Sequence, residues 1–387
     1  MGWSVNQSHG LSHHQPARSV KGYTVIAPLF TSTVYLLDMA GRVVHQWQAP
    51  AMRIHHARLL PSGRMAVQGA DMALPPLPRD RLPETLPFED RVRAIGGNHQ
   101  LMQELDWDGT VAWEYRDRAM HHDFARLPNG HTLLPIFVEL PEDLSRRVKG
   151  GRRKPRQKLP TLIGDDLVEI DEHGVEVRRL HTWELLDPRR DPICPLESYS
   201  EWTHLNSIDV NDRGDIVFSC RQNSRVGIID AESGALTWKY GDPDTFHQHH
   251  ATWVDGGRIQ IFDNGMHSHG QPASRVLEVD PATDRVTWQY RGTPGLQFFS
   301  PFISSAQRLP GANVLICEGA TGRVFEVTRR GEVVWEWLSP FYNPNPAGEA
   351  LPWIYRAYRH LPDDPALRDR DLDPERFRSL NQLHNLA

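Results

Sequence analysis

Histidine is the residue type whose number and spacing suggest chemistry, with 20 copies among 387 residues. Four segments that end in a glycine turn carry a polar residue eight positions before that glycine: His55, His122, Asn206 and His249. An equal offset puts these side chains at the same position of four similar strands, and His204, two residues before Asn206, shares their facing. Imidazole acts as a nucleophile, a proton carrier or a metal ligand near neutral pH. The spacing therefore predicts a polar site assembled from distant segments.

Further polar residues extend this candidate site. Ser304 and Arg356 each lie six residues before the proline of a Leu-Pro turn, at the corresponding strand position, and Arg221 lies on the strand after the third segment. His250 directly follows His249. Burying several imidazoles together costs desolvation free energy unless they bind something. We therefore expect these residues to line the mouth of a functional channel.

An internal repeat identifies the elements that would position these residues. A hairpin pattern recurs six times, with an apolar run ending in Asp, a turn and a second strand, as in YLLDMAGRVVHQW and LEVDPATDRVTWQY. Its acidic positions are Asp38, Asp106, Asp171, Asp230 and Asp280, with Thr328 in the sixth copy. A second hairpin precedes most copies, which gives four strands per repeat. Such repeats are typical of propellers, so the sequence predicts an all-β, six-bladed β-propeller with four-stranded blades.

Both ends of the chain contribute to one predicted blade. The segment from Trp353 to Asp364 has the pattern of a first strand with no hairpin after it, whereas Tyr23 to Phe30 begins a hairpin with no first strand before it. Pairing the two would close the ring and remove free sheet edges. We therefore expect the N- and C-terminal strands to share a blade.

The same pattern predicts one large domain. We expect the propeller to span residues 20–365, between an N-terminal tail of residues 1–19 and a C-terminal tail of residues 366–387. Two irregular insertions, at residues 71–98 and 139–164, interrupt the repeats, and in propellers such segments are commonly loops on one face.

Composition excludes several classes of function. With 43 basic and 49 acidic residues the net charge is −6, which argues against nucleic acid as a partner. No apolar run reaches the length of a membrane-spanning helix, so no membrane association is expected. Three cysteines do not make a disulfide framework, and the N-terminus lacks the pattern of a secretory signal. The expected compartment is the cytoplasm.

Several segments together resemble the arylsulfotransferase family of bacterial six-bladed propellers. These are HHDFARLPNGHTLL, HLNSIDVNDRGDIVFSCRQNSRV and QHHATW, and the resemblance covers roughly residues 20–360. It implies transfer of a sulfuryl group from an aryl sulfate to a phenol through a histidine intermediate, with no cofactor and a small aromatic or anionic substrate. On this resemblance the nucleophile would be His249, and the groups holding the sulfuryl oxygens would be His122, His204, Asn206 and Arg221.

Two other functions remain open on the residues alone. In the first, His55, His122, His204 and His249 hold a transition metal, since imidazole suits Fe, Cu, Ni and Zn, and the protein is a metalloenzyme. In the second, the propeller is not catalytic and binds a ligand or a protein, because this fold hosts many functions. The sequence predicts no oligomeric state.

Overall fold

The computed structural model describes residues 9–77, 86–153 and 161–386. Six small antiparallel sheets dominate the described residues, and they are the blades of a six-bladed β-propeller, which confirms the predicted fold class. Five of these sheets have four strands and the sixth has five. The chain divides into two compact units, each with three blades: one comprises residues up to 72, residues 102–114 and residues from 303 onward, and the other comprises residues 73–101 and 115–302.

The first unit contains the blade that both chain ends share. Strand β29 (Ile354–His360) pairs with β2 (Tyr23–Pro28), and β3 (Thr33–Leu37) and β4 (Val43–Gln48) complete the sheet in the order β29-β2-β3-β4. In this register Ile26 lies opposite Ala357. The predicted closure by N- and C-terminal strands is therefore confirmed.

Two further blades belong to the first unit. One is formed by β5 (Met52–Leu59), β6 (Met65–Asp71), β7 (Leu101–Leu105) and β8 (Val111–Arg116). The other is formed by β23 (Ser305–Arg308), β24 (Val314–Glu318), β25 (Arg323–Val327) and β26 (Val333–Leu338), with β1 (Gly10–His14) as a fifth strand.

The described parts of both expected tails are folded. Strand β1 pairs with β26, so that Leu11 lies opposite Trp337 and covers an otherwise free sheet edge. After the last blade strand the chain continues to helix α3 (Arg378–Leu383). Its buried Asn381 accepts a hydrogen bond from the Val43 backbone N–H at 2.8 Å and donates to the Val43 carbonyl at 3.1 Å. Residues 1–8 of the expected N-terminal tail lie outside the described residues.

The second unit holds the other three blades. The first of them is formed by β9 (Ala125–Arg126), β10 (Thr132–Glu139), β12 (Ile163–Ile170) and β13 (Glu176–His181). The second is formed by β15 (Leu205–Val210), β16 (Ile216–Cys220), β17 (Arg225–Ile229) and β18 (Leu236–Gly241). The third is formed by β19 (His249–Val254), β20 (Arg258–Asp263), β21 (Arg275–Asp280) and β22 (Arg285–Arg291). Fully buried Val217, Ile259 and Leu277 pack between the last two sheets, so their apolar faces make this core.

The insertions carry short elements where loops were expected. These are α1 (Phe88–Arg93), α2 (Glu142–Arg147) and β11 (Gly150–Arg152), which pairs in parallel with β14 (Ile193–Ser198). The remaining small hairpin joins β27 (Asn343–Pro344) to β28 (Ala350–Leu351). Residues 78–85 and 154–160 of the insertions lie outside the described residues. No helix in the described part of the chain is long and apolar enough to cross a membrane.

Candidate active site

Six of the predicted site residues lie in the second unit: His122, His204, Asn206, Arg221, His249 and His250. The ring centroids of His122 and His204 lie 4.5 Å apart in an edge-to-face arrangement. Burial, followed by positive charge on neighbours that include His204 and His249, holds the pKa of His122 well below its usual range. The His122 and His204 rings therefore lie against each other, although the two residues are far apart in the sequence. Asn206 is also fully buried, and Arg221 lies beside the same group.

His249 is held in one tautomer by its surroundings. Its Nδ1 lies 2.7 Å from Asn264 Oδ1 and 3.2 Å from the His247 carbonyl oxygen. The Asn264 amide is oriented by its own Nδ2, which donates to the Ser300 carbonyl at 2.8 Å. Both partners of Nδ1 are therefore acceptors, so Nδ1 carries the proton and Nε2 carries the lone pair. That is the form in which an imidazole attacks an electrophile.

The residue before His249 is fixed by several hydrogen bonds. The fully buried Gln248 side chain donates through Nε2 to Ser219 Oγ and to the Cys220 and Arg225 carbonyls, each at 3.0 Å. The Asn206 Nδ2 donates to the Gln248 backbone carbonyl at 2.8 Å. Because these bonds run from the blade of β15–β18 to the start of β19, they fix where His249 begins its strand.

Side chains beside the site residues form hydrogen bonds between neighbouring blades of this unit. Asp123, next to His122, accepts a hydrogen bond from the Ile208 backbone N–H at 3.0 Å. Ser207, next to Asn206, accepts from the Ala251 backbone N–H at 2.9 Å. Each of these hydrogen bonds connects the start of one blade to the first strand of the next blade, which keeps the site residues of neighbouring blades aligned.

His122 belongs to a buried chain of polar groups. Its Nδ1 lies 2.9 Å from His121 Nδ1, and His121 Nε2 lies 3.1 Å from Asp165 Oδ1. Burial opposes ionisation of Asp165, but contacts with His121 and Thr203 lower the pKa of that carboxyl overall. A carboxylate at Nε2 favours the proton there, so His121 Nδ1 accepts from His122 Nδ1–H. Neutral His122 then carries its lone pair on Nε2.

Two pairs of side chains, His204 with Glu201 and Arg221 with Glu197, complete the polar surroundings. His204 Nδ1 lies 2.6 Å from Glu201 Oε2, which favours the proton on Nδ1 and leaves the other ring nitrogen as acceptor when the ring is neutral. The Arg221 guanidinium pairs with Glu197 at 3.0 Å and donates to Gln222 Oε1 at 3.1 Å. Both pairs are mostly buried, so their charges are weakly screened by solvent.

Five histidines of this unit have left-handed backbone. Among the described residues, thirteen that are not glycine have positive φ, and five of them are histidines. They are His122, His204, His247, His250 and His267, with φ between 50° and 63°. Such conformations cost free energy in residues with a Cβ and cluster at functional sites. Gly97 accommodates one of these histidines, because a Cβ built on Gly97 would overlap the His122 ring.

The remaining predicted residues, His55, Ser304 and Arg356, lie in the first unit. Burial, and then Arg53, lowers the pKa of His55 to about 4. Ser304 is buried, has a φ of 87°, and accepts a hydrogen bond from the Gly319 N–H at 3.0 Å. The guanidinium of buried Arg356 lies 5.0 Å from the Tyr355 ring centroid. Their role as lining of a shared channel stays a prediction.

Sequence reasoning missed Asn264 and Gln248 as positioning residues. Gln248 stands in QHHATW, a segment that carries the resemblance, and Asn264 lies in IFDNG further along the chain. An amide that orients a histidine has no spacing rule of its own. Their partners Ser300 and Ser219 lie far away in the sequence. Only the folded arrangement reveals these contacts.

The fold and this site define a class of protein: a β-propeller with a buried cluster of oriented histidines. Two arylsulfotransferase (ASST) families match the chain, one over residues 29–247 and one over residues 188–339. The chain therefore belongs to the arylsulfotransferase family.

Individual relatives are more distant. The chain is 23% identical over 320 residues to the arylsulfate sulfotransferase AssT of Escherichia coli O6:H1 (strain CFT073), covering 60% of this chain and 51% of that protein. It thus spans about half the length of this curated relative. A crystal structure of a protein of unknown function from Bacteroides caccae has a TM-score of 0.53 at 10% identity, over 88% of this chain and 98% of that one, and supports the fold alone. Virginiamycin B lyase from Staphylococcus aureus reaches a TM-score of 0.45 at 12% identity, over 86% of each chain.

Proposed function

We propose that this protein transfers a sulfuryl group from an aryl sulfate to a phenol through a covalent intermediate on His249. Family membership supports the class of reaction. The observation that carries the choice of residue is the hydrogen bond from His249 Nδ1 to Asn264 Oδ1, because it puts the lone pair on Nε2. A small aromatic sulfate is the donor and a small phenol the acceptor.

The reaction takes two displacements at sulfur. In the first, His249 Nε2 attacks the sulfur atom, the bond from sulfur to the aryl oxygen breaks, and the phenolate leaves with the electron pair. In the second, the acceptor phenol attacks the same sulfur, the N–S bond breaks, and the electron pair returns to Nε2. Sulfuryl transfer resembles phosphoryl transfer, so positioning and stabilisation of charge on the peripheral oxygens supply most of the catalysis.

Neighbouring side chains have matching roles in this scheme. His122 in its neutral form takes the proton of the acceptor phenol at Nε2, since its pKa is held low. His121 and Asp165 keep His122 in that tautomer. Arg221 offers guanidinium N–H groups to the sulfuryl oxygens, and Glu197 fixes the orientation of that guanidinium.

Intact-protein mass spectrometry tests the intermediate. Protein mixed with an activated aryl sulfate and no acceptor should gain the mass of one SO₃ group, located on His249 by fragmentation, and lose it when a phenol is added. His249→Ala should gain no such mass, whereas His269→Gln, an exposed histidine of the same unit, should behave as wild type. Phenol turnover by a well-folded His249→Ala protein at the wild-type rate would refute the proposal.

A further inference from the structure

A cysteine and two histidines meet beside the candidate active site, in a group that the proposed transfer does not use. Cys194 lies on β14, His247 lies just before β19, and His267 follows β20. One ligand atom from each side chain lies within 4.8 Å of the others. His247 is fully buried, and the other two are partly buried. Three separate segments of the second unit thus converge on one point.

The distances within this group match a tetrahedral metal site. His267 Nδ1 lies 3.1 Å from His247 Nε2 and 3.5 Å from Cys194 Sγ. With Zn–N bonds of about 2.0–2.1 Å and a Zn–S bond of about 2.3 Å, tetrahedral angles place two nitrogens about 3.4 Å apart and nitrogen and sulfur about 3.6 Å apart. These two distances therefore need to change by only a few tenths of an ångström, and the third, from Cys194 Sγ to His247 Nε2, is below 4.8 Å.

The surroundings supply a carboxylate next to the ligands. Glu197 Oε1 lies 3.7 Å from His247 Nδ1, the ring nitrogen turned away from His267, and 3.8 Å from His267 Nδ1. A carboxylate that faces the second nitrogen of a ligating histidine fixes the tautomer and raises ligand basicity. His247 Nδ1 is buried and makes no hydrogen bond within the described residues, so a proton on this nitrogen has Glu197 as its nearby carboxylate acceptor.

The local charge balance permits a divalent ion. Arg221 and Arg152 are the cations that act on His267, and both would oppose a bound cation. The Glu197 carboxylate and the thiolate formed at Cys194 contribute two negative charges against them. Binding converts the thiol to thiolate and releases its proton to solvent.

We propose that Cys194, His247 and His267 form a binding site for Zn²⁺ or a similar tetrahedral divalent cation, with Glu197 as the outer partner of His247. One thiolate and two imidazoles are ligands that zinc prefers, and three protein ligands leave a fourth position for water or a carboxylate. The site shares no residue with the metal set predicted from sequence. A bound ion would connect His247, two residues before His249, to His267, which follows His249 in the sequence. It would also hold Glu197 beside Arg221.

Cobalt substitution tests this site without reference to enzyme activity. Metal-free full-length protein, made without a histidine tag, should bind one Co²⁺ per chain and develop a thiolate-to-cobalt charge-transfer band, which one equivalent of Zn²⁺ should abolish. Cys194→Ser should lose the band, and His267→Gln should weaken binding. Glu197→Gln should weaken it by roughly 10- to 100-fold, as outer-sphere substitutions do. His269→Gln, on the same loop, should bind as wild type.

Each result separates this site from its alternatives. Absence of the charge-transfer band in folded wild-type protein would overturn the proposal and leave the cluster as a set of hydrogen bonds. Unchanged metal affinity in Cys194→Ser would also overturn the proposal, because the ion would then be bound by other histidines. Circular dichroism verifies that each variant is folded, and Zn²⁺ should raise the Tm of wild type but not of Cys194→Ser. His249→Ala should bind cobalt normally, so failure of the proposed transfer is distinguishable from failure of this site.

Discussion

Replacing Asn264 by Ala removes the acceptor that orients the proposed nucleophile. The Asn264 Oδ1 lies 2.7 Å from His249 Nδ1, and that ring becomes positively charged when Nε2 bonds to sulfur. A hydrogen bond to a charged group contributes about 1.5–3 kcal/mol, which corresponds to a loss of about 10- to 150-fold in the rate of transfer to His249. Stability should also fall, by about 1–3 kcal/mol, because the bond to the Ser300 carbonyl is lost.

Rapid-quench measurement of the sulfated protein gives this rate directly, with unfolding by urea measured in parallel. Asn313→Ala is a matched control, because Asn313 Nδ2 donates to Glu326 and to the Arg18 carbonyl in the first unit. It should lose stability and keep the rate. Asn264→Asp should do the same, since its carboxylate still accepts from His249 Nδ1. A folded Asn264→Ala protein that sulfates at the wild-type rate would refute the positioning role.

Two more predictions concern the buried histidine His45 and the glycine beside the His122 ring, Gly97. Burial lowers the pKa of His45 to about 4, so the ring stays neutral in the folded protein at pH values where it is protonated in the unfolded chain. The free energy of unfolding therefore decreases as pH falls below the unfolded pKa near 6.5, and the decrease due to His45 reaches about 2 kcal/mol at pH 5. Urea unfolding at pH 7 and pH 5 should show that the free energy of unfolding falls less in His45→Gln than in wild type. An equal fall in both proteins would contradict a lowered pKa of His45. Gly97→Ala should slow transfer and destabilise by roughly 1–3 kcal/mol, because its Cβ meets the His122 ring at a φ of +79°. Gly130→Ala, with a φ of +87° and open space around its Cβ, reports the backbone strain alone.

The fold was predictable because each blade repeats the same local signals. A glycine turn, a following strand and an acidic hairpin position recur at similar spacing, and together they specify strands without any knowledge of distant contacts. The pairing of β29 with β2 followed from two incomplete patterns at opposite ends of the chain. The expected tails were less visible, since strand β1 and helix α3 carry no repeat signal and are ordered by contacts with the first unit.

The candidate site was predictable where it follows the repeat and not elsewhere. Counting eight residues back from the turn glycine selects His122, Asn206 and His249, and His204 follows from its position two residues before Asn206. Cys194 and His267 lie outside the repeated pattern, on strand β14 and on the loop after β20. Contacts between irregular segments depend on tertiary packing, which a spacing rule does not encode.

The strained histidines link the two proposed sites. A left-handed backbone at His247 and His250 turns the chain sharply on either side of His249. Because residues with a Cβ avoid this conformation, it persists only where surrounding contacts hold it, as the Ser224 hydroxyl does by accepting from the His247 N–H at 3.1 Å. One turn thereby points the His247 ring toward Cys194 and the His249 ring toward Asn264. A metal bound at His247 would stabilise the same turn. Removing the metal should therefore make the backbone at His249 more mobile, while the hydrogen bond from His249 to Asn264 remains.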